Sequence, residues 1–276
     1  MSNPVDSKKP IHEDVDRFRA AEKYAAYLET VEGRLRMELA FANLQEFLPQ
    51  ASLRVLDLGC GPGTTAMGLA GLGHQVTLLD SSLAMLDLAK DAAKQAGVAD
   101  KIDFKHGDAV QPPDLIQNKS FDVIICHNVL EYVDDPVATL WFASRAMRSR
   151  TAFMSVLVRN RLGEVMKAAI QTGDLAAADG NLTAEWGHES LYGGKVRLFS
   201  AERMHAMLRT ASLEMVAERG VRVMSDYLPS QISRVNEYAR ILELERKLGR
   251  MPQFTAIARY AQFIVRRADL LGEDGA

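Results

Sequence analysis

From about residue 50 onward the apolar positions fall into short runs separated by stretches with helical spacing. Residues 53–56, 75–79, 101–104, 121–126 and 151–156 read as buried strands, and 64–72, 82–96 and 136–147 as helices between them. Strand alternating with helix implies a mainly parallel sheet covered on both faces. Two amphipathic helical stretches precede it, 15–30 and 34–48; in the second, Leu35, Leu39, Leu44 and Leu48 recur at helical spacing before Pro49 closes it.

The rhythm breaks over 161–199, where a helical run is followed by a Gly-, Ala- and Asp-rich stretch, 173–194, expected to be a loop. An insertion late in an α/β fold is a good place for a substrate lid. A helix over 201–210, a strand over 213–223, a polar helix over 230–248 and a last strand over 258–265 follow, the final strand pair being expected to run antiparallel. The chain thus divides into an N-terminal helical extension (1–50), a core (51–160), a lid-like insertion (161–199) and a C-terminal completion of the sheet (200–267). Its 276 residues suit one α/β core with these decorations. The polar helix could equally serve as a dimer contact.

Composition narrows the setting. No apolar run approaches the roughly 18 residues of a membrane span, and the polar start, Met1 to Pro10, lacks a signal-peptide core, so a cytoplasmic protein is expected. Cys60 and Cys126 are too few for a disulfide framework and lie in no zinc spacing, and no metal is expected. The net charge is −3, yet Arg219 to Arg267 holds ten Lys/Arg against four Asp/Glu. That segment either faces a polyanion or is a solvated face with scattered arginines.

The chemistry-bearing signal is Val55-Leu56-Asp57-Leu58-Gly59-Cys60-Gly61-Pro62-Gly63, a strand running into a glycine turn that opens a helix. Glycines let the chain turn sharply and let a ligand approach the backbone. Asp80 closes the next strand about twenty residues on, where a carboxylate can grip both ribose hydroxyls of an adenosine. A dinucleotide site would place a third glycine where this chain has Thr64, and would leave the helix N-terminus free for a pyrophosphate. Asp57 just before the turn suits an ammonium better than a phosphate. S-adenosylmethionine has an amino-acid ammonium and no phosphate.

With Gly107-Asp108-Ala109 after a strand, and Phe121-Asp122-Val123-Ile124 followed by His127-Asn128-Val129-Leu130-Glu131-Tyr132, the stretch 50–160 resembles class I S-adenosylmethionine-dependent methyltransferases. The resemblance implies a Rossmann-like, doubly wound seven-stranded sheet, mainly parallel with an antiparallel last strand. It also implies that S-adenosyl-L-methionine is the cofactor, with Gly59 and Gly61 under its methionine part and Asp80 on the ribose. Met85 would pack on the adenine, Asp108 and Ala109 would flank it, and His127 would line the pocket beside the sulfonium. Cys126 and His127 do not read as a nucleophilic pair, because consecutive strand side chains point to opposite faces.

Farther along, Gly220-Val221-Arg222-Val223, Asp226-Tyr227-Leu228, Leu242-Glu243-Leu244-Glu245 and Ala258-Arg259-Tyr260, with Gly33-x-x-Arg36 near the start, are similar to the bacterial tRNA 5-carboxymethoxyuridine methyltransferases. This resemblance implies that Arg36 reaches the cofactor carboxylate, which a guanidinium can bind in bidentate fashion. It makes tRNA a possible partner and a uridine carboxylate the acceptor, with Arg222, Arg259 and Tyr260 expected either on the acceptor side or capping a sheet edge. A carboxylate acceptor needs no general base, whereas a neutral hydroxyl or an ammonium does. Two other readings stay open. A small-molecule O- or N-methyltransferase would close a pocket under the insertion with Trp186, Tyr192 and Phe199, and a non-catalytic protein would bind cofactor without transfer. A tRNA enzyme would instead gather the Arg219–Arg267 cations into one continuous surface.

Overall fold

The computed structural model describes residues 21–110, 116, 121–189 and 194–268. Helices α1 (Ala21–Leu28) and α2 (Val31–Gln45) lead into β1 (Arg54–Leu58), α3 (Thr64–Gly71), β2 (Gln75–Asp80), α4 (Leu83–Gln95), β3 (Ile102–His106), β4 (Val123–His127), α5 (Pro136–Ala146) and β5 (Phe153–Arg159). Next come α6 (Arg161–Met166), continued by a π-helical turn (Lys167–Thr172), α7 (Leu175–Asn181), and the antiparallel pair β6 (Trp186–Glu189) and β7 (Gly194–Arg197). The chain finishes with α8 (Ala201–Thr210), β8 (Leu213–Val221), α9 (Tyr238–Leu248), α10 (Pro252–Thr255) and β9 (Tyr260–Arg267).

Seven strands form one sheet in the order β3-β2-β1-β4-β5-β9-β8. Neighbours from β3 to β5 pair in parallel, and β9 runs antiparallel to both β5 and β8. This is the expected doubly wound architecture. On one face Leu56, Ile124, Met154 and Val156 pack with Leu140, Met204 and Leu208. On the other, Val55, Leu78, Ile125 and Phe153 pack with Leu69, Leu86 and Leu44. Leu35, Leu39 and Ala40 of α2 join Leu157, Val221, Ile241 and Tyr260 in a third cluster at the β9 side. Polar caps set the helix starts, with Ser82 accepting from Met85 N, Asp135 from Ala138 N and Ser200 from Arg203 N.

The strands end later than the apolar runs suggest. Asp80, His127 and Arg159 close β2, β4 and β5, and a pattern drawn from hydrophobicity stops short of such polar residues although their backbones stay in the ladder. Two stretches depart further. The expected loop 173–194 contains α7, capped by Asp174, and β6, which pairs with β7 just beyond it, because its alanines and its alternating exposed and covered positions find partners in the tertiary structure. The polar helix begins at Tyr238 rather than 230. Before it the chain is held in turns by Arg234, which donates to Ser225 O and Leu228 O. Of the expected first helix, 15–20 lies outside the described residues; α1 stops at Leu28, and Thr30 caps α2.

Candidate active site

The strand ends converge at one edge of the sheet, the position at which doubly wound folds bind ligands. Gly59, Gly61 and Gly63 take φ of 62°, 53° and 76°, the left-handed conformation that L side chains resist. Asp80 fastens the turn from β2, its Oδ2 accepting from Gly61 N and its Oδ1 from Ser82 N, both at 2.8 Å. Asp57 is buried at the end of β1. Burial and the neighbouring Asp80 carboxylate push its carboxyl up to about 8.

Arg36 faces this turn from α2. It is buried, donates to Tyr24 Oη at 2.7 Å, and lies 5.5, 5.0 and 5.6 Å from the ring centroids of Tyr24, Tyr27 and Tyr260. The cage depends on Gly33: a Cβ there would meet Tyr27 O at 2.1 Å, so only glycine lets α1 cross α2 closely enough to bring its tyrosines onto the guanidinium. Tyr24 also reaches over the turn, its ring 3.5 Å from where a Cβ on Gly61 would lie. Two buried nitrogens here, Arg36 Nε and His127 Nδ1, have no hydrogen-bond partner among the described residues. Met85 sits in the first turn of α4. Asp108, after β3, is exposed and accepts from Val110 N at 2.8 Å, with Ala109 partly buried beside it. Cys126 points into the core, away from His127, whose Nε2 is 2.8 Å from Ser155 Oγ.

Beyond the turn lies a cationic wall. Tyr260 opens β9, paired across the ladders with Arg159 and Val221. Burial would raise its phenol, but Arg36, Arg159, Arg222 and Arg259 outweigh that and draw it down to about 8. Arg222, in a left-handed conformation with φ 61°, is bonded through Nε and Nη2 to Asp226 and donates through Nη1 to Tyr27 Oη at 3.0 Å. Arg259 donates to Gly163 O at 2.9 Å and pairs with Glu164 at 3.1 Å and Asp226 at 3.2 Å. Sequence reasoning missed Arg159, which pairs with Glu189 of β6 at 2.5 Å and Glu164 at 3.6 Å. A lone arginine ending an apolar strand was its signal.

The family of methyltransferase domains matches residues 49–212. The tRNA 5-carboxymethoxyuridine methyltransferase of Escherichia coli K12 is 30% identical over 260 residues, covering 90% of this chain and 94% of that protein. The chain is a class I S-adenosylmethionine-dependent methyltransferase. A ubiquinone biosynthesis O-methyltransferase of Ruegeria is 33% identical, but over 39% of this chain and 42% of that one. Among solved structures, the Burkholderia thailandensis 1,6-didemethyltoxoflavin-N1-methyltransferase shares the fold with a TM-score of 0.57 and 16% identity, over 96% of this chain and 94% of that one.

The residues of the methyltransferase fit its cofactor. Asp57 is buried beside a like charge, which an ammonium would relieve; Arg36 Nε awaits an acceptor, which a carboxylate would supply. One consequence is measurable. Below about pH 8 the Asp57 carboxyl is protonated in the free methyltransferase, so pairing with an ammonium must expel that proton. Calorimetric affinity for S-adenosylmethionine should therefore climb by up to about tenfold per pH unit from about pH 6. It should stop rising near pH 8, where the ligand's own α-amino group begins to deprotonate. Asp57→Asn should bind more weakly and show no rise. A flat wild-type profile would remove Asp57 from the ammonium site.

Two expectations for the acceptor side are corrected. Trp186 lies on the exposed face of β6 and Phe199 is in the core, so neither lines a closed pocket, and Tyr192 lies outside the described residues. Nor do all the cations of the C-terminal segment go to one surface. Arg222 and Arg259 are buried, Arg219 and Arg250 both pair with Glu46, and Arg234 is spent on backbone carbonyls. Charge counted along a chain takes no account of carboxylates brought in from elsewhere. No helix among the described residues is long and apolar enough to cross a membrane.

Proposed function

We propose that this methyltransferase esterifies the carboxylate of 5-carboxymethoxyuridine in tRNA. The observation that carries the reading is the extent of the likeness to the tRNA enzyme: 90% of the chain, well beyond the methyltransferase-domain match. The wall suits such an acceptor. A phenol whose proton is loosened despite burial reports a positive potential at Tyr260, and the same potential favours a bound carboxylate.

In this reading Gly59 and Gly61 underlie the methionine part of S-adenosylmethionine, Asp57 takes its ammonium, Arg36 its carboxylate and Asp80 its ribose. Met85, Asp108 and Ala109 surround the adenine, and His127 stands beside the sulfonium. The bound cofactor supplies a methyl group on an already activated carbon, leaving the protein to align and hold the acceptor. Tyr260 borders the acceptor. Arg222 and Arg259, tied to Asp226 and Glu164, act on it through their field. The insertion walls this side, since Glu164 and Glu189 clamp Arg159.

Transfer of labelled methyl to bulk tRNA with and without the carboxymethoxy group tests the proposal. Label is expected only in modified tRNA, it should be lost on mild alkaline hydrolysis of the ester, and tRNA affinity should fall as salt rises. Tight cofactor binding without any tRNA labelling would sink the reading in favour of a small-molecule acceptor.

A further inference from the structure

His127 ends a buried chain of hydrogen bonds that crosses from β4 to α2. Ser155 Oγ on β5 lies 2.8 Å from His127 Nε2 and 2.9 Å from Gln262 Nε2 on β9. Gln262 Nε2 also donates to Ala40 O at 3.0 Å, and its Oε1 accepts from Asn43 Nδ2 at 2.9 Å. Ser155, Gln262 and Asn43 are all buried, so their donors must find acceptors within the chain.

That requirement assigns the protons. A backbone carbonyl can only accept, so Ala40 O fixes which end of the Gln262 amide faces it, and the two amide hydrogens go to Ala40 O and Ser155 Oγ. Ser155 Oγ is then an acceptor towards Gln262, and its own buried hydrogen, which must be donated, has no acceptor among the described residues other than His127 Nε2. A neutral imidazole carries one proton, which must sit on Nδ1. Burial, and then the charge of Arg36, hold the ring neutral by lowering its pKa to about 3. The Nδ1–H so defined is buried and has no partner among the described residues, and it lies near enough to Arg36 to feel its charge.

We infer that His127 positions the methyl acceptor: its Nδ1–H, locked in place by Ser155, Gln262 and Asn43, donates to an oxygen of an acceptor that arrives already anionic. The inference rests on the methyltransferase reading of the site and narrows the acceptor class. A ring presenting N–H to the acceptor has no lone pair there with which to remove a proton, so His127 is not a general base. An oxyanion needs none. Its lone pair forms the new O–CH3 bond, the S–CH3 electron pair returns to sulfur, and no proton is released.

The tautomer can be read without any acceptor, by long-range 15N–1H correlation on histidine-labelled protein. Wild type is expected to show His127 protonated at Nδ1 without titrating from about pH 5 to 8, and Ser155→Ala to lose that single-tautomer signature. Turnover with carboxymethoxy-modified tRNA supplies the second readout. His127→Asn, whose amide N–H falls near the Nδ1 position, should keep acceptor kcat/KM within about tenfold of wild type. His127→Leu should lower it by roughly 100-fold or more, a loss well beyond any fall in S-adenosylmethionine affinity. An Nε2–H tautomer overturns the inference, as does cofactor affinity lost in step with turnover. The Nδ1–H tautomer found alongside transfer to an oxyanion other than tRNA would support it, and only the tRNA reading would fail.

Discussion

Glu245→Ala is expected to destabilise the methyltransferase by about 3–5 kcal/mol, the scale of leaving several buried donors unsatisfied. Glu245 is fully buried on α9, and its carboxylate accepts from three successive backbone N–H groups, Val223 at 2.6 Å, Met224 at 3.0 Å and Ser225 at 2.7 Å. Val223 and Ser225 are buried, so their donors would be left unsatisfied. They also define the turn that carries Arg222 in its left-handed conformation and delivers Asp226 to both Arg222 and Arg259. Losing the carboxylate therefore loosens the wall around Tyr260 as well as the fold. Thermal unfolding should show a midpoint lowered on the order of 10 °C for a chain of this size. Glu245→Gln, which keeps one acceptor oxygen, should fall between. Glu243→Ala on the same helix, exposed and paired with Lys247 at 2.7 Å, should not shift the midpoint measurably. If Glu245→Ala melted with wild type, the three hydrogen bonds would not be holding that turn.

Asp80→Ala should weaken S-adenosylmethionine binding by on the order of 100- to 1000-fold, the scale of losing two charge-assisted hydrogen bonds. Its carboxylate has two tasks: it fastens the glycine turn through Gly61 N and Ser82 N, and its remaining lone pairs are those proposed to hold the ribose. A third effect separates these from mere unfolding. Asp80 is one of the two causes that raise the Asp57 carboxyl, so removing its charge should let Asp57 ionise at lower pH. The rise of cofactor affinity with pH should then finish below its wild-type limit near pH 8, and Asp80→Asn should show the same displacement with a smaller loss of affinity. Calorimetry across pH measures both. An unchanged midpoint in both variants would mean that the two carboxylates do not act on each other.

Sequence reading succeeded where the chemistry is local. Asp57, Gly59, Gly61 and Gly63 lie within one strand–turn–helix unit, and their conformation follows from neighbours along the chain. The alternation of apolar runs with helical stretches gave the parallel core, because strands covered on both faces have few other solutions. It was less informative wherever a residue's role depends on a distant partner. Trp186 and Phe199 look alike as aromatic pocket-formers, yet one is exposed and the other is core. The lysines and arginines after 218 look like one basic surface, yet Glu46, 173 and 204 positions away, takes two of them.

Ser155 and Gln262 show the division most clearly. Each is a polar residue inside an apolar strand, a visible anomaly, but nothing along the chain says that Ser155 faces His127, or that Gln262 faces Asn43 across 219 positions. The sequence by itself determined the sheet, the glycine turn and the placing of Asp57 and Asp80 beside that turn, since these follow from periodicity and from conformations open chiefly to glycine. Only the tertiary structure decided which nitrogen of His127 carries its proton, which arginines surround Tyr260 and what Glu245 holds. Those properties are set by hydrogen bonds and charges closed between strands and helices that meet only when the sheet is complete.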